Sequence, residues 1–213
     1  EADLTLVDLE VDATSLTIVD DDCAATVPNL IISGDLVQTA GDFVLGDSDV
    51  ELQGDFTRVA GVWSMDDGVL NLNTAGTITP GTGFAVDNLL VSAPAVFPDD
   101  EPWSIGENLV LAASLDPGND GTVAANPQLS IGDNATIERQ NTGATLDDDA
   151  IWGQSINLAY TTAGTIAMSD EASAASINNV NVEVAVDMDR DFGPISGTLT
   201  LEALLDDSPA APV

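Results

Sequence analysis

Aliphatic pairs of the form apolar-x-apolar recur about every 20 residues along this chain. They fall at Leu30/Ile32, Val50/Leu52, Leu70/Leu72, Leu89/Val91, Leu109/Leu111 and Leu129/Ile131, in steps of 20, 20, 19, 20 and 20. After a wider gap come Ile156/Leu158, Val180/Val182 and Leu199/Leu201. Side chains alternate along a strand, so each pair points two apolar groups the same way. One short strand per fixed period is the pattern of a solenoid whose rungs stack. A single rung cannot bury its own apolar face, but a stack can. The spacing therefore predicts an all-β chain, a right-handed parallel β-helix of roughly nine or ten rungs and about 45 Å in length. The same alternation also fits a β-sandwich, which is the alternative.

The repeat extends beyond the pairs. Ile32-Ser-Gly-Asp-Leu-Val-Gln-Thr-Ala-Gly-Asp-Phe43 aligns with Leu52-Gln-Gly-Asp-Phe-Thr-Arg-Val-Ala-Gly-Val-Trp63 at an offset of 20. Gly34/Gly54, Asp35/Asp55, Ala40/Ala60 and Gly41/Gly61 are identical. Gly-Asp after a strand suits a corner, since Gly accepts positive φ and Asp caps turns. Ile131-Gly132-Asp133 repeats the corner a third time.

Composition narrows the classes. Apolar residues make up 44% of the 213, too many for a disordered acidic tail. There is no run of 18 apolar residues, so no membrane-inserted helix is expected. Thirty-seven acids face three arginines, with no lysine or histidine, for a net charge of -34. Such a surface repels nucleic acid and anionic membranes. It also suits a salty or calcium-rich extracellular setting, and the cell surface is the expected location. Cys23 is alone, so no disulfide forms within the chain; a lone Cys is most often a small buried hydrophobe.

No Pro/Gly/Ser-rich linker divides the chain, and residues 1–213 read as one elongated β domain. Residues 1–28 form an N-terminal strand, cap or assembly segment, with Leu4, Leu6, Leu9 and Val11 apolar and Asp20 to Asp22 as a turn. Regular rungs run over 29–137. The polar stretch 138–155 reads as a loop bulging from one rung. C-terminal rungs occupy 156–205, and 206–213 is a Pro-Ala tail. The nearest approach to a helical period is Asp170 to Ala175, which is short. With no capping helix at either end, residues 1–18 and 195–205 present strand edges. Edges of this kind predict self-association head to tail by strand addition.

Two stretches resemble bacterial secreted β-strand-repeat surface proteins, of the filamentous-haemagglutinin-like and autotransporter-passenger-like group. One is Phe84-Ala-Val-Asp-Asn-Leu-Leu-Val-Ser92. The other runs from Ile156-Asn-Leu-Ala-Tyr160 through Ile177-Asn-Asn-Val-Asn-Val182 to Gly197-Thr-Leu-Thr-Leu201. The resemblance spans about residues 29–201 and implies a β-helix in a surface filament, stalk or matrix. The rival class is an adhesin-type module holding carbohydrate or a surface receptor, with calcium as its cofactor. Proteins of that group are usually much longer, and the absence of lysine is a departure.

Catalysis is poorly provided for. Without histidine, neither a Ser-His-Asp nor a Cys-His arrangement can be built, and no enzyme is expected. Asp147 to Asp149 beside Trp152 could hydrolyse a glycoside in principle, but an acidic loop explains them as well. Hard-oxygen clusters suit Ca²⁺ better than zinc or copper. Asp116-Pro-Gly-Asn-Asp-Gly121 resembles the start of a calcium loop, with Asp116, Asn119 and Asp120 as donors; the Glu expected further along is missing. Asp35 and Asp55, on equivalent corners, are the second candidate pair. Asp47/Asp49 and Asp99 to Glu101 are lesser clusters. Trp63, Trp103 and Trp152 could stack on sugars but more often pack corners. Asn134-Ala-Thr136 fits a glycosylation sequon, a match frequent by chance.

Overall fold

The computed structural model describes residues 3–12, 15–18, 30–74, 76–99, 101–118, 128–146, 150–162, 164–166, 177–184, 186–188, 194–202 and 205–206. Their regular elements are all strands, and the strands coil as a parallel β-solenoid. The longest sheet runs through ten strands: Leu4–Leu6, Leu30–Ile32, Val50–Leu52, Val69–Leu72, Phe84–Val91, Trp103–Leu111, Thr136–Arg139, Ile156–Tyr160, Ile177–Val182 and Leu199–Leu201. Every junction along this path is parallel.

Register turns the aliphatic pairs into two interior columns. One holds Leu4, Leu30, Val50, Leu70, Leu89, Leu109, Ile137, Leu158, Val180 and Leu199. The other runs beside it from Leu6 through Ile32, Leu52, Leu72, Val91, Leu111, Arg139, Tyr160 and Val182 to Leu201. Away from the two ends both columns are buried. Full burial of such a side chain contributes about 1.5–3 kcal/mol, so the columns carry much of the stability.

Early turns have three faces. The second stacks Leu9–Val11, Leu36–Gln38, Phe56–Arg58 and Ile78–Thr79, and the third stacks Leu16–Thr17, Phe43–Val44 and Trp63–Ser64. Phe43, Phe56, Trp63 and Phe84 fill the space between faces, with ring centroids 5.1 to 5.6 Å apart. Further along, Phe84–Val91 and Trp103–Leu111 are long strands broken only by a register shift between Val86 and Asn88.

Three expectations need correction. Leu129/Ile131 does not continue the main columns. It pairs with Trp103 and Ile105, on the other half of the long strand. The main columns pass instead to Ile137 and Arg139, a step of 28 residues from Leu109 and Leu111. A nine-residue strand offers two pairing sites, and spacing alone does not choose between them. Second, 138–155 is not simply a loop. Its residues Ala150–Trp152 form a strand on Leu129–Ile131, and Ala144 and Leu146 are buried. Third, the N-terminal segment is not one strand: Leu4–Leu6, Leu9–Val11 and Leu16–Thr17 lie on three faces as a first turn. Cys23, Asp20 to Asp22 and Asp170 to Ala175 lie outside the described residues.

The repeated glycines divide into two jobs. Gly41 and Gly61 have φ of 72° and 94°, a left-handed conformation that disfavours side chains. Gly34 and Gly54 do not have positive φ, contrary to the sequence reading. They are glycine because rungs touch: a Cβ on Gly54 would lie 2.2 Å from the Gly34 carbonyl oxygen.

Gly54→Ala should therefore destabilise the fold by about 1–3 kcal/mol through overpacking, read as a lowered chemical-denaturation midpoint. Leu52→Asp, Leu72→Asp or Leu111→Asp buries an unpaired charge and should cost several kcal/mol, about the whole stability of neighbouring rungs. The outward Glu51 and Asn71 accept hydrogen bonds from Gln53, Asn73 and Ser92 at 2.6 to 2.7 Å. Changing either to Ser should cost only about 0.5–1.5 kcal/mol. Equal losses for the inward and outward sets would show the phase to be wrong.

Candidate functional site

The repeated corner assembles a ladder of carboxylates. Asp8 Oδ1 accepts the Asp35 backbone N–H at 2.9 Å. Asp35 Oδ1 accepts the Asp55 N–H at 3.0 Å, and Asp55 Oδ1 accepts the Thr77 N–H at 2.7 Å. Each carboxylate thus reaches the backbone one rung ahead. Asp is short enough to stay at the corner and long enough to span a rung. Hydrogen bonds to an ionised acceptor are stronger than neutral ones, so each rung is tied to the next at its corner.

Other corners repeat the device. Asp49 Oδ1 accepts the Val69 N–H at 2.8 Å, and Asp133 Oδ1 accepts the Gln154 N–H at 2.6 Å. Asn179 Oδ1 does the same for the Thr198 N–H at 3.0 Å. The sequence reading found Asp35 and Asp55 but missed Asp8, Asp49 and Asp133 as members of one scheme. A signal was present, because Asp8, Asp49 and Asp133 lie 27, 20 and 21 residues before their partners, about one period.

The expected pair is therefore brought together: Asp35 and Asp55 stand one rung apart, linked through the Asp55 N–H. Like charges stacked at about 4.8 Å repel. Accepting a backbone N–H offsets part of that repulsion. Among the described residues, no three His, Cys, Asp or Glu side chains gather as a metal-binding group. At the other candidate, Asp116 Oδ1 accepts the Gly118 N–H at 3.1 Å in a local turn. Asn119 and Asp120 lie outside the described residues, as do Asp147 to Asp149.

Two arginines serve carbonyls. Arg58 donates from Nη1 to Pro80 O at 2.7 Å and from Nη2 to Gly61 O at 2.8 Å. Burial pushes its pKa below the usual guanidinium value. Arg139 sits in the second interior column between Leu111 and Tyr160, 1% exposed, and its Nη2 donates to Ala144 O. Trp63 and Trp103 are buried and offer no ring face to a sugar; the Trp103 Nε1–H is spent on Pro117 O at 3.0 Å. Trp152 is half-buried.

The outer face of the longest sheet carries a shallow groove of about 240 Å³, lined by Asn88, Asn108, Val110, Thr136 and Glu138. Asn108 Nδ2 donates to Asn88 Oδ1 at 2.6 Å, aligning the amides along the rungs. Compared with known protein families, characterised proteins and solved structures, the chain gives no match.

The ladder can be dissected at Asp35. Asp35→Ala removes the acceptor for the exposed Asp55 N–H and should cost about 0.5–1.5 kcal/mol at moderate salt. Asp35→Asn keeps an oxygen and removes a charge, so at low salt it should match or exceed the parent in thermal midpoint. Millimolar Ca²⁺ should raise the parent's midpoint above that in EDTA and raise the Asp35→Asn midpoint less. An identical parent midpoint in both buffers would remove cations from the account.

Proposed function

We propose that this chain is a structural rod of the cell exterior, a subunit or segment of a surface filament, stalk or matrix. The observation that carries it is the pair of mostly aliphatic interior columns that run from rung to rung along the longest sheet. They commit the core and the rung-to-rung backbone bonds to building length. At about 4.8 Å per rung, nine junctions give a rod of roughly 45 Å. The acidic surface keeps such rods apart in solution and makes their contacts responsive to salt and divalent cations. The resemblance of Phe84 to Ser92 and of 156–201 to bacterial surface β-repeats points the same way. No catalytic role is assigned.

A second reading rests on the outer groove. Aligned amides, a carboxylate and an aliphatic side chain suit the hydroxyls and C–H faces of a carbohydrate, and an adhesin would use that face. Glycan-array binding that is lost in Asn108→Ala with the fold intact would favour it over a purely structural rod.

The structural reading is tested on the cells that make the protein. Immunogold labelling of intact cells should decorate the surface or material shed from it, and small-angle scattering should give the profile of a rod. Label confined to permeabilised cells would overturn it.

A further inference from the structure

Asn134-Ala135-Thr136 is the one Asn-x-Ser/Thr tripeptide in the sequence, and the function proposed above makes no use of it. Such a tripeptide is meaningful where its asparagine reaches solvent. The structure puts this one on an outer turn of the solenoid. Asn134 lies between the strands Leu129–Ile131 and Thr136–Arg139 and is exposed. Its φ is 63°, a left-handed conformation that Asn enters more readily than most residues with a side chain. Ala135 is 1% exposed and turned inward, while Thr136 is half-buried and lines the outer groove.

The amides around Asn134 are committed to structure. Asn108 Nδ2 donates to Asn88 Oδ1 at 2.6 Å, Asn157 Nδ2 to Asn134 O at 2.9 Å, and Asn179 Nδ2 to Asn157 Oδ1 at 2.8 Å. Each of these bonds joins one rung to the next. Asn134 differs from them. Its main chain is held at both groups, with the N–H donating to Gln154 O at 2.7 Å. Among the described residues, nothing bonds its side-chain amide. The fold uses the backbone of Asn134 and leaves Nδ2 to solvent.

We propose that Asn134 is the acceptor of an N-linked glycan. This rests on the cell-exterior reading, because the modification belongs to exported chains. The donor is an oligosaccharide carried on a lipid phosphate, and a membrane-bound transferase makes the bond. Asn134 Nδ2 attacks the anomeric carbon of the first sugar. The C–N bond forms as the anomeric C–O bond breaks, the lipid phosphate leaves with the electron pair, and one Nδ2 proton passes to a base of the transferase. In an extended segment, side chains two residues apart point the same way, so the transferase meets the Asn134 amide and the Thr136 hydroxyl together. In the folded rung the Asn134 main chain is tied to Gln154 and Asn157, so transfer precedes the docking of that next rung. Docking then leaves Nδ2 outside, and the glycan is not trapped in the core. It stands beside the outer groove, where it adds uncharged polar bulk to an acidic surface.

The test is the mass of the protein purified from the cells that make it. The intact chain should exceed the mass of its sequence by that of a glycan, and peptide mapping should place the excess on Asn134. Asn134→Gly keeps the left-handed turn and removes the acceptor, so it should lose the whole excess with an unchanged circular-dichroism spectrum. Thr136→Ala should lose the excess as well, whereas Thr136→Ser should keep it. A merely structural role for Thr136 would not produce that split. A bare Asn134 in the parent chain would overturn the site, and so would an excess that persists in Thr136→Ala. The surface labelling separates this failure from that of the exterior reading. A bare Asn134 on protein labelled at the cell surface strikes the glycan alone, while label confined to permeabilised cells strikes the exterior reading itself.

Discussion

Parallel backbone pairing between successive rungs is the constraint on which the rest of the structure depends. Strands in register sit about 4.8 Å apart, so whatever occupies one position of a rung lies directly on the same position of the next. Apolar residues become columns, as from Leu30 to Val180. Glycines become contact points, as at Gly34 and Gly54, where backbone meets backbone. Acids become ladders, as at Asp8, Asp35 and Asp55. One geometric fact thus sets the core, the corners and the electrostatics.

The same stacking that stabilises apolar residues penalises charged ones. With a net charge of -34 and no lysine, the chain has almost no cations to interleave among its acids. It uses the backbone instead. Corner aspartates accept N–H groups from the following rung, so part of the acid surface also ties the rungs together. This explains how a densely acidic chain closes into a regular stack.

The interior tolerates polar groups where carbonyls line up to receive them. Gln38 is fully buried and its Nε2 donates to Gly41 O and Val62 O at 2.8 and 2.9 Å. Arg58, one rung on in the same position, treats the carbonyls of Gly61 and Pro80 likewise. Arg139 takes a column position held elsewhere by aliphatics and Tyr160 and donates to Ala144 O, so the segment 140–146 folds across a guanidinium. A solenoid corner leaves several carbonyls pointing inward, and a long donor that reaches them costs less to bury than the carbonyls left unsatisfied.

The sequence by itself determined that the chain stacks, because alternation at period 2 nested in a period near 20 has few other solutions. It also placed the regular rungs from Leu30 to Leu111 and the equivalence of Asp35 with Asp55, since those need only an identical offset. Only the tertiary structure decided that Ile137 and Arg139, not Leu129 and Ile131, continue the columns. Both pairs fit the alternation, and the choice was made by two halves of one long strand competing for partners. It likewise decided what the repeated glycines are for, because a close approach between rungs involves two backbones distant in sequence. The purpose of the corner aspartates was hidden for the same reason: the N–H that each one accepts belongs to the next turn of the chain.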